Sequence, residues 1–253
     1  MAASEWVDER GLTWLAAAPK IKLLKPSDGR KPYPLSPEEQ DQLFAELPEH
    51  LRRMARFKVN TGCRDAEVCG LRWEWEVEVP ELETSVFVIP GDRVKNGADR
   101  LVVLNSVARS IIDEQRGLHP EYVFVYSQVC KPGKEPQFRP IETMNNTSWQ
   151  KARRRANLPQ VRVHDLKHTF GRRLRAAGVS FEDRQDLLGH KSARMTTHYS
   201  APELSNLIEA AEKACRLGSR KSPAIVALKQ KAAGAQNANR LMSTGNFGAP
   251  GRI

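Results

Sequence analysis

The chain has 253 residues, 40% of them hydrophobic and 28% charged, which is the balance of a globular protein with a sizeable buried core. Its formal net charge of +10 favours a polyanionic partner, most economically nucleic acid. The sequence has no apolar run near the roughly 18 residues of a membrane span, no signal-peptide core and no CxxC pair among its four cysteines. We therefore expect a cytoplasmic protein with reduced thiols rather than a membrane-embedded or disulfide-stapled secreted one.

The first 34 residues are predicted to form one short helix and a linker. Residues 1–19 supply Trp6, Trp14 and Leu15 as packing side chains for the helix. Residues 20–34 are basic and proline-rich without sustained periodicity, which is typical of a linker.

Two helices are predicted next. Ser36 is followed by Pro37 and, three residues after the serine, by Glu39, which is the pattern of a helix start with a capping box. A second helix is expected over about residues 49–59 and should stop before Gly62.

Strands are predicted between Trp73 and Val103. The runs EWEVEV, SVFVI and RLVVL have the alternation or β-branched composition of half-buried strands. The last two are separated by a segment that contains Asn96-Gly97, a strong hairpin signal. Three short antiparallel strands are therefore expected.

Helices are predicted to dominate the remainder of the chain, over residues 106–116, 143–156, 164–177, 180–188 and 202–216. Residues 217–253 contain six basic residues and no acids, and they are rich in alanine, glycine and asparagine, so a disordered basic tail is expected. The predicted fold class is α+β, mostly helical with a small three-stranded antiparallel sheet.

The heptapeptide HDLKHTF, residues 164–170, lies in one of these helices. At about 100° per residue, the stripe that contains Leu166 and Phe170 faces the core. The opposite side gathers two imidazoles, two cations and a glycine, namely His164, Lys167, His168, Gly171 and Arg175. Nine basic residues and one acid lie within residues 151–175, so this surface suits a sugar-phosphate backbone.

A metal site is the alternative interpretation of this helix, because His164 and His168 have the i, i+4 spacing of metal ligands. The zinc-hydrolase pattern HExxH needs a glutamate directly after the first histidine, where this chain has Asp165. Lys167 would also place a positive charge beside the ion. We therefore favour a phosphate site with no metal and no cofactor over a metal-dependent hydrolase.

Two further segments carry residue types suited to phosphate chemistry. In TGCRDAEVCGLRW, residues 61–73, Glu67 lies three residues after Arg64 and could orient its guanidinium toward an anion. In GHKSARMTTHYS, residues 189–200, Tyr199 could act as a nucleophile on phosphorus if cations stabilise its phenolate. A plain helix salt bridge and a packing tyrosine are the alternatives.

Together these segments resemble the catalytic domain of the tyrosine recombinases, the phage integrase family, over about residues 35–210. TGCRDAEVCGLRW is similar to the first-arginine box, and RVKNGADRLVVL to the β-hairpin that carries the catalytic lysine. HDLKHTF is similar to the His-x-x-Arg box, and LLGHKSARMTTHYS to the final histidine-to-tyrosine box. The four segments occur in the order that the family shows.

The resemblance implies a covalent reaction on DNA. Tyr199 would attack the scissile phosphate and form a 3′-phosphotyrosyl link. Lys95, at the hairpin turn, would protonate the departing 5′-oxygen, and His164 would assist proton transfer at the tyrosine. The chain would then be a site-specific recombinase that integrates DNA by strand breakage and rejoining, as mobile elements require.

The resemblance also implies a phosphate clamp. Arg64 would hold the non-bridging oxygens with Glu67 in support, His190 would bond to a phosphate oxygen, and His168 would support the site by packing or hydrogen bonding. Lys167 stands where the family pattern has its second arginine, and it keeps the charge but not the planar fork. We expect a working but altered clamp; the alternative is a catalytically impaired remnant that only binds DNA.

The resemblance divides the chain into four parts. Residues 1–19 would be the remnant of an N-terminal core-binding domain, 20–34 a basic linker, 35–216 the catalytic domain and 217–253 the basic tail. The implied partner is double-stranded DNA at attachment sites, bound by a homotetramer, with accessory DNA-bending proteins as candidate partners and no membrane. The expected location is the bacterial cytoplasm, at the nucleoid.

Overall fold

The computed structural model describes residues 9–10, 30–128, 136–189 and 200–218. The predicted N-terminal helix, most of the linker, His190, Tyr199 and the tail beyond residue 218 lie outside the described residues. Every helix and strand given below belongs to the unit Pro32–Ile253, which is described by itself.

The described residues are mostly helical. The α-helices are α1 Pro37–Glu46, α2 Glu49–Thr61, α3 Asp65–Cys69, α4 Ser106–Asp113, α5 Thr147–Arg155, α6 Val163–Ala176, α7 Phe181–Leu188 and α8 Ala201–Gly218. The strands are β1 Glu76–Val79, β2 Thr84–Ile89, β3 Arg100–Val103, β4 Val125–Gln128 and β5 Gln137–Pro140. The predicted α+β class is confirmed.

The three predicted strands form an antiparallel sheet in the order β1-β2-β3, in which Val77 pairs with Val86 and Val86 with Val103. Asn96-Gly97 lies in the connection between β2 and β3, as expected. This connection folds back tightly, because a Cβ on Gly91 would lie only 2.7 Å from the carbonyl oxygen of Gly97.

The second sheet, formed by β4 and β5, was not predicted. The two strands are four residues each, and β5 is exposed or half-buried along its length. A strand that buries no continuous face shows no alternation, so its sequence carries no strong signal.

The start of α1 is built as predicted. The backbone N–H of Ser36 donates to Glu39 Oε2 at 2.8 Å, and the backbone N–H of Glu39 donates to Ser36 Oγ at 3.2 Å. These two bonds are the reciprocal capping box, which satisfies two of the donors that a helix leaves free at its N-terminus.

The helix predicted from residue 143 begins later than expected. Asn146 is the N-cap of α5, and its side-chain oxygen accepts from the backbone N–H of Trp149 at 3.1 Å. Thr143 instead donates its hydroxyl to Asp65 Oδ2 at 2.9 Å. The prediction was wrong here because a tertiary contact to α3 holds residue 143 outside the helix.

Helix α2 is the centre of the core. Its residues Leu51, Met54 and Phe57 are fully buried, and the Phe57 ring lies 5.1 Å from that of Phe124, centroid to centroid. The helix packs against both α4 and α6. It therefore fixes the position of the helix that carries HDLKHTF.

The C-terminal end of α2 meets α6 and α7 at a tight junction. Gly62, the C-cap of α2, has a left-handed φ of +68°, and a Cβ there would lie 2.7 Å from Phe170 Cδ1 and 3.1 Å from Leu188 Cδ2. A glycine adopts this conformation without steric cost and leaves room for both side chains. The junction brings the ends of α2 and α7 onto one face of α6.

Helix α8 packs against α6 and buries Leu204, Leu207 and Ala211. Its Glu212 accepts the backbone N–H of Ser106 at 2.9 Å, so α8 also completes the N-terminus of α4. No helix within the described ranges is long and apolar enough to cross a membrane.

We expect Phe57→Ala to lower the free energy of unfolding by about 3–5 kcal/mol, because it removes a fully buried ring from the core. The same substitution at Phe181, which is 61% exposed, is the matched control and should change the free energy of unfolding by about 0.5 kcal/mol or less. Urea denaturation at equilibrium measures both. Equal losses from the two substitutions would contradict the described core.

Candidate active site

A cleft of about 1180 Å³ is lined by the predicted site residues in the described part of the chain, except Glu67, which is buried behind Arg64. Its lining includes Arg64, Lys95, His164, Lys167 and His168. These residues come from the start of α3, the connection between β2 and β3, and α6, so three segments distant in sequence meet here.

The polar face predicted for the HDLKHTF helix is the face that lines this cleft. Its five members His164, Lys167, His168, Gly171 and Arg175 are all in the lining. On the other side of α6, Leu166, Phe170 and Leu174 are buried, as expected. A helical period of 3.6 residues was sufficient to separate the two faces.

Arg64 is oriented by Glu67. Arg64 is the N-cap of α3, where its backbone N–H donates to Glu67 Oε2 at 2.7 Å and its Nη1 donates to Glu67 Oε1, also at 2.7 Å. The Glu67 side chain is 1% exposed and that of Arg64 is 23% exposed. The carboxylate therefore lies behind the guanidinium, whose exposed edge lies at the cleft.

Glu67 remains a carboxylate despite its burial. Burial raises its pKa, but the charge of Arg100 and the two hydrogen bonds from Arg64 outweigh burial, so the pKa lies below its ordinary value. The Arg64–Glu67 ion pair therefore differs from an exposed helix salt bridge, because the Glu67 side chain is wholly buried.

The Lys167 ammonium binds two helix ends. Its Nζ donates to the carbonyl oxygen of Gly62 at 2.8 Å and to that of Leu188 at 2.5 Å, and the residue is only 4% exposed. Burial, followed by the nearby charge of Arg100, lowers the pKa of Lys167 to about 7. Lys167 therefore links α6 to α2 and α7 while it lines the cleft.

His164 and His168 lie edge to face, with ring centroids 4.7 Å apart and planes at 86°. Burial, together with the charges of His168 and Lys58, lowers the pKa of His164 to about 4, so its imidazole is neutral at neutral pH. Burial also lowers the pKa of His168. A neutral imidazole in the cleft can accept a proton.

Asp165, between the two histidines in sequence, holds the start of α6. Its side chain accepts from the backbone N–H groups of Arg162 at 2.9 Å and Tyr33 at 3.1 Å. Among the residues that the structure describes, no group of three or more His, Cys, Asp or Glu side chains could hold a metal ion.

Lys95 and Asn96 reach the cleft from the connection between β2 and β3. Asn96 Nδ2 donates to the carbonyl oxygen of Gly189 at 3.4 Å, and Arg64 Nη2 donates to the same oxygen at 3.3 Å. Lys95 is exposed beside these contacts, so its ammonium lies where a bound anion would be accessible.

Three arginines surround the mouth of the cleft, Arg172 and Arg175 from α6 and Arg184 from α7. The Arg184 guanidinium lies 5.7 Å from the ring centroid of the exposed Phe181. Positive charge thus extends from Arg64 to the outer surface.

Two buried cations in this region were not predicted, Lys58 and Arg100. Lys58 lies seven residues after Leu51 and four after Met54, which places it on the buried stripe of α2. Arg100 lies two residues before Val102 on β3 and so shares its buried face. The spacing places both residues on buried faces, but charged side chains are rarely buried, so neither was expected in the core.

Comparisons with a family model and with individual proteins indicate the same family. The family model described as "Phage integrase family" matches residues 34–205. The integrase of Salmonella phage P22 is 31% identical over 208 residues, which are 81% of this chain and 52% of that protein. Tyrosine recombinase XerA of Thermococcus kodakarensis is 27% identical over 191 residues, 72% of this chain and 63% of that protein. The chain thus spans between half and two thirds of the length of these relatives.

Among solved structures, the integrase from mycobacterium phage Brujita is similar with a TM-score of 0.50 and 19% sequence identity. The match covers 81% of this chain and 64% of that one. At this level of identity the likeness concerns the fold.

The burial of Lys167 predicts a pH dependence of stability. Its pKa is about 7 in the folded chain and 10.5 ordinarily, so between these values the unfolded chain holds the proton that the folded chain has lost. Stability then rises with pH across this window and is flat below it. Relative to Lys167→Met, the unfolding free energy of the wild type should rise from pH 7 to 10 by at most about 1.4 kcal/mol per unit.

Urea denaturation at several pH values measures this difference. Lys151→Met, which removes an exposed lysine of α5, controls for the loss of one positive charge. A difference between wild type and Lys167→Met that does not change with pH would contradict the burial of a titrating ammonium.

Proposed function

Because this chain belongs to the phage integrase family, we propose that it breaks and rejoins DNA strands at specific sites by transesterification. The observation that carries the proposal is the cleft, in which Arg64, Lys95, His164 and Lys167 converge. These are the positions to which the resemblance of the sequence boxes assigns phosphate chemistry. The same cleft is positively charged at its floor and at its mouth, as a DNA backbone requires.

In the proposed reaction, Tyr199 is the nucleophile. Its phenolic oxygen attacks the scissile phosphorus, the bond from phosphorus to the 5′-oxygen breaks, and a 3′-phosphotyrosyl link forms. Lys95 donates a proton to the departing 5′-oxygen. The link conserves the energy of the phosphodiester, so rejoining by attack of a 5′-hydroxyl needs neither nucleotide nor metal.

His164 is proposed to accept the proton of Tyr199. Its place in the cleft lining supports this role, and its imidazole is neutral at neutral pH, so one ring nitrogen is unprotonated and can accept the proton. His168 supports the ring of His164 by the edge-to-face contact. His190, which directly follows Gly189, is proposed to bond to a phosphate oxygen.

Arg64 and Lys167 are proposed to stabilise the charge on the pentavalent phosphorus. Arg64 is suited to this, because Glu67 fixes one edge of its guanidinium and leaves the rest at the cleft. Lys167 supplies charge from a position just behind the cleft surface, with its ammonium bonded to two carbonyl oxygens. A lysine there contributes a point charge without the bidentate fork.

The proposed partner is double-stranded DNA at attachment sites, bound by a homotetramer and assisted by DNA-bending proteins. Residues 35–216 would be the catalytic domain, with residues 1–19 and 20–34 as the core-binding remnant and linker and 217–253 as a basic tail. Such a protein would act at the bacterial nucleoid, in the cytoplasm. The net charge of +10 supports the association with DNA.

The wild type should form a covalent adduct with nicked suicide duplexes tiled across the DNA that flanks the gene, and Tyr199→Phe should form none. The adduct is measured as a protein–DNA band that resists denaturing electrophoresis, with and without a chelator. Adduct formation by Tyr199→Phe, or its loss with the chelator, would contradict the proposal.

Lys167→Arg in the same assay distinguishes an active enzyme from an impaired DNA-binding remnant. If the wild type reacts, the lysine is compatible with turnover. If only Lys167→Arg reacts, the wild type is the impaired remnant and the proposed activity is wrong.

DNA affinity should fall steeply with salt, by about 10³–10⁵ between 50 and 200 mM for 6–10 phosphate contacts. Arg175→Gln should reduce the slope of log K against log salt by about 1, because it removes one cation from the mouth of the cleft. Arg116→Gln, an arginine paired with Glu76 and Asp113 away from the cleft lining, is the control and should leave the slope unchanged. Fluorescence anisotropy of labelled duplex measures all three proteins, and an affinity independent of salt would contradict binding through the phosphate backbone.

A further inference from the structure

The side chain of Arg100 connects three parts of the fold. Its Nη1 donates to the carbonyl oxygen of Asp186 at 2.6 Å, and its Nη2 donates to that of Leu187 at 2.6 Å and to that of Thr61 at 3.4 Å. The residue is 2% exposed. A guanidinium that begins on β3 thus ties the last turn of α7 to the last turn of α2.

Arg100 also lies directly behind the Glu67 carboxylate. Its Nε is 4.0 Å from Glu67 Oε2, and this Nε has no hydrogen-bond partner among the residues that the structure describes. The other carboxylate oxygen, Oε1, accepts from Arg64 Nη1. Arg64, Glu67 and Arg100 therefore form a row of alternating charge that runs inward from the cleft.

The fit between Arg100 and the end of α7 is tight. Gly189, the C-cap of α7, has a φ of +57°, and a Cβ there would lie 2.5 Å from Arg100 Cδ and 2.6 Å from Arg100 Nε. Only a glycine at position 189 leaves room for the Arg100 side chain. The carbonyl oxygen of the same Gly189 accepts from Arg64 Nη2 in the cleft.

We propose that Arg100 is a positioning residue of the active site, which holds the end of α7 and the Arg64–Glu67 pair in register with each other. The inference rests on the proposed strand-transfer activity. Arg100 acts through Gly189 and Glu67, and it is too deeply buried to touch the substrate itself.

A purely structural arginine and a positioning arginine differ in how they affect pH dependence. The Glu67 carboxylate must be charged to hold Arg64, and Arg100 is the largest charge that favours the ionised form against burial. Loss of Arg100 should raise the pKa of Glu67, so activity should disappear at a higher pH on the acid side. The groups that act electrostatically on Glu67 are two arginines, two lysines and a thiol, namely Arg64, Arg100, Lys58, Lys167 and Cys63.

The test compares Arg100→Met and Arg100→Lys with wild type in single-turnover adduct formation on the nicked duplexes, between pH 5 and 9. We expect Arg100→Met to lower the rate constant at saturating DNA by a factor of roughly 100 or more, the scale of a misplaced catalytic group, with a Kd for DNA within about threefold. The rate of Arg100→Met should fall within this range as pH decreases toward 5, because the pKa of Glu67 rises. The wild-type rate should show no such fall, since its Glu67 pKa lies below the ordinary value. Arg100→Lys keeps the charge and should behave as the wild type on the acid side, with an intermediate rate.

Arg109→Met is the matched control, because Arg109 also donates to a backbone carbonyl oxygen, that of Glu83, but at the surface. It should react at the wild-type rate. Two outcomes would overturn the inference but not the proposed activity. The first is adduct formation by Arg100→Met at the wild-type rate. The second is a loss of rate that is equal at every pH and proportional to the unfolded fraction. Absence of an adduct with the wild type would instead overturn the proposed activity, and the inference with it.

A second measurement needs no DNA. Gly189→Ala should lower the Tm in the wild-type background through both the clash with Arg100 and the left-handed φ. In the Arg100→Ala background the clash is gone, and the same change should lower the Tm by clearly less. Equal losses in the two backgrounds would mean that Arg100 does not contact the end of α7, and would overturn the inference.

Discussion

The cleft depends on the hydrogen bonds that the carbonyl oxygens at the C-terminal end of α7 accept. A helix leaves its last carbonyl groups without intrahelical partners and carries a partial negative charge there. In this chain the four consecutive carbonyl oxygens of residues 186–189 all accept from side chains of other segments. Arg100 takes two, Lys167 takes one, and Arg64 and Asn96 share the last.

These bonds explain why cations from such distant parts of the sequence lie together. The carbonyl dipoles offset part of the cost of burying Arg100 and Lys167, a cost that carboxylates usually offset in a protein interior. The carbonyl oxygens at the C-terminal end of α7 thus take the place of acidic side chains as partners of the buried cations.

One buried carboxylate faces four buried or half-buried cations. Glu67 lies among Arg64, Arg100, Lys167 and Lys58. Burial lowers the pKa values of the two lysines, but the two arginines alone outnumber the carboxylate, so the local balance is positive. An anion that enters the cleft would offset this positive charge, which supports the proposed phosphate chemistry.

The lysine in HDLKHTF has a structural consequence that its sequence position does not reveal. A compact ammonium can donate in several directions, and the Lys167 Nζ serves carbonyl oxygens from two different helices. Lys167 is therefore a link between α2, α6 and α7 as well as a charge beside the cleft.

The sequence by itself determined what depends on neighbours along the chain. The capping box at Ser36, the alternation of β1 to β3 and the two faces of α6 all follow from local spacing, because a helix or strand repeats every 3.6 or 2 residues. The order of the four boxes was sufficient to indicate the family. The later start of α5 and the ribbon of β4 and β5 could not be predicted in this way, because a contact to α3 sets the first and the second buries no continuous face.

Only the tertiary structure decided the environment of the site. Arg100 bonds to residues 86 and 87 positions away, and Lys167 to a carbonyl 105 positions away. No periodicity links such positions. Which charged side chains are buried, how far their pKa values shift and which of them hold the end of α7 are properties of the folded chain, since burial and long-range hydrogen bonds exist only after the helices have packed.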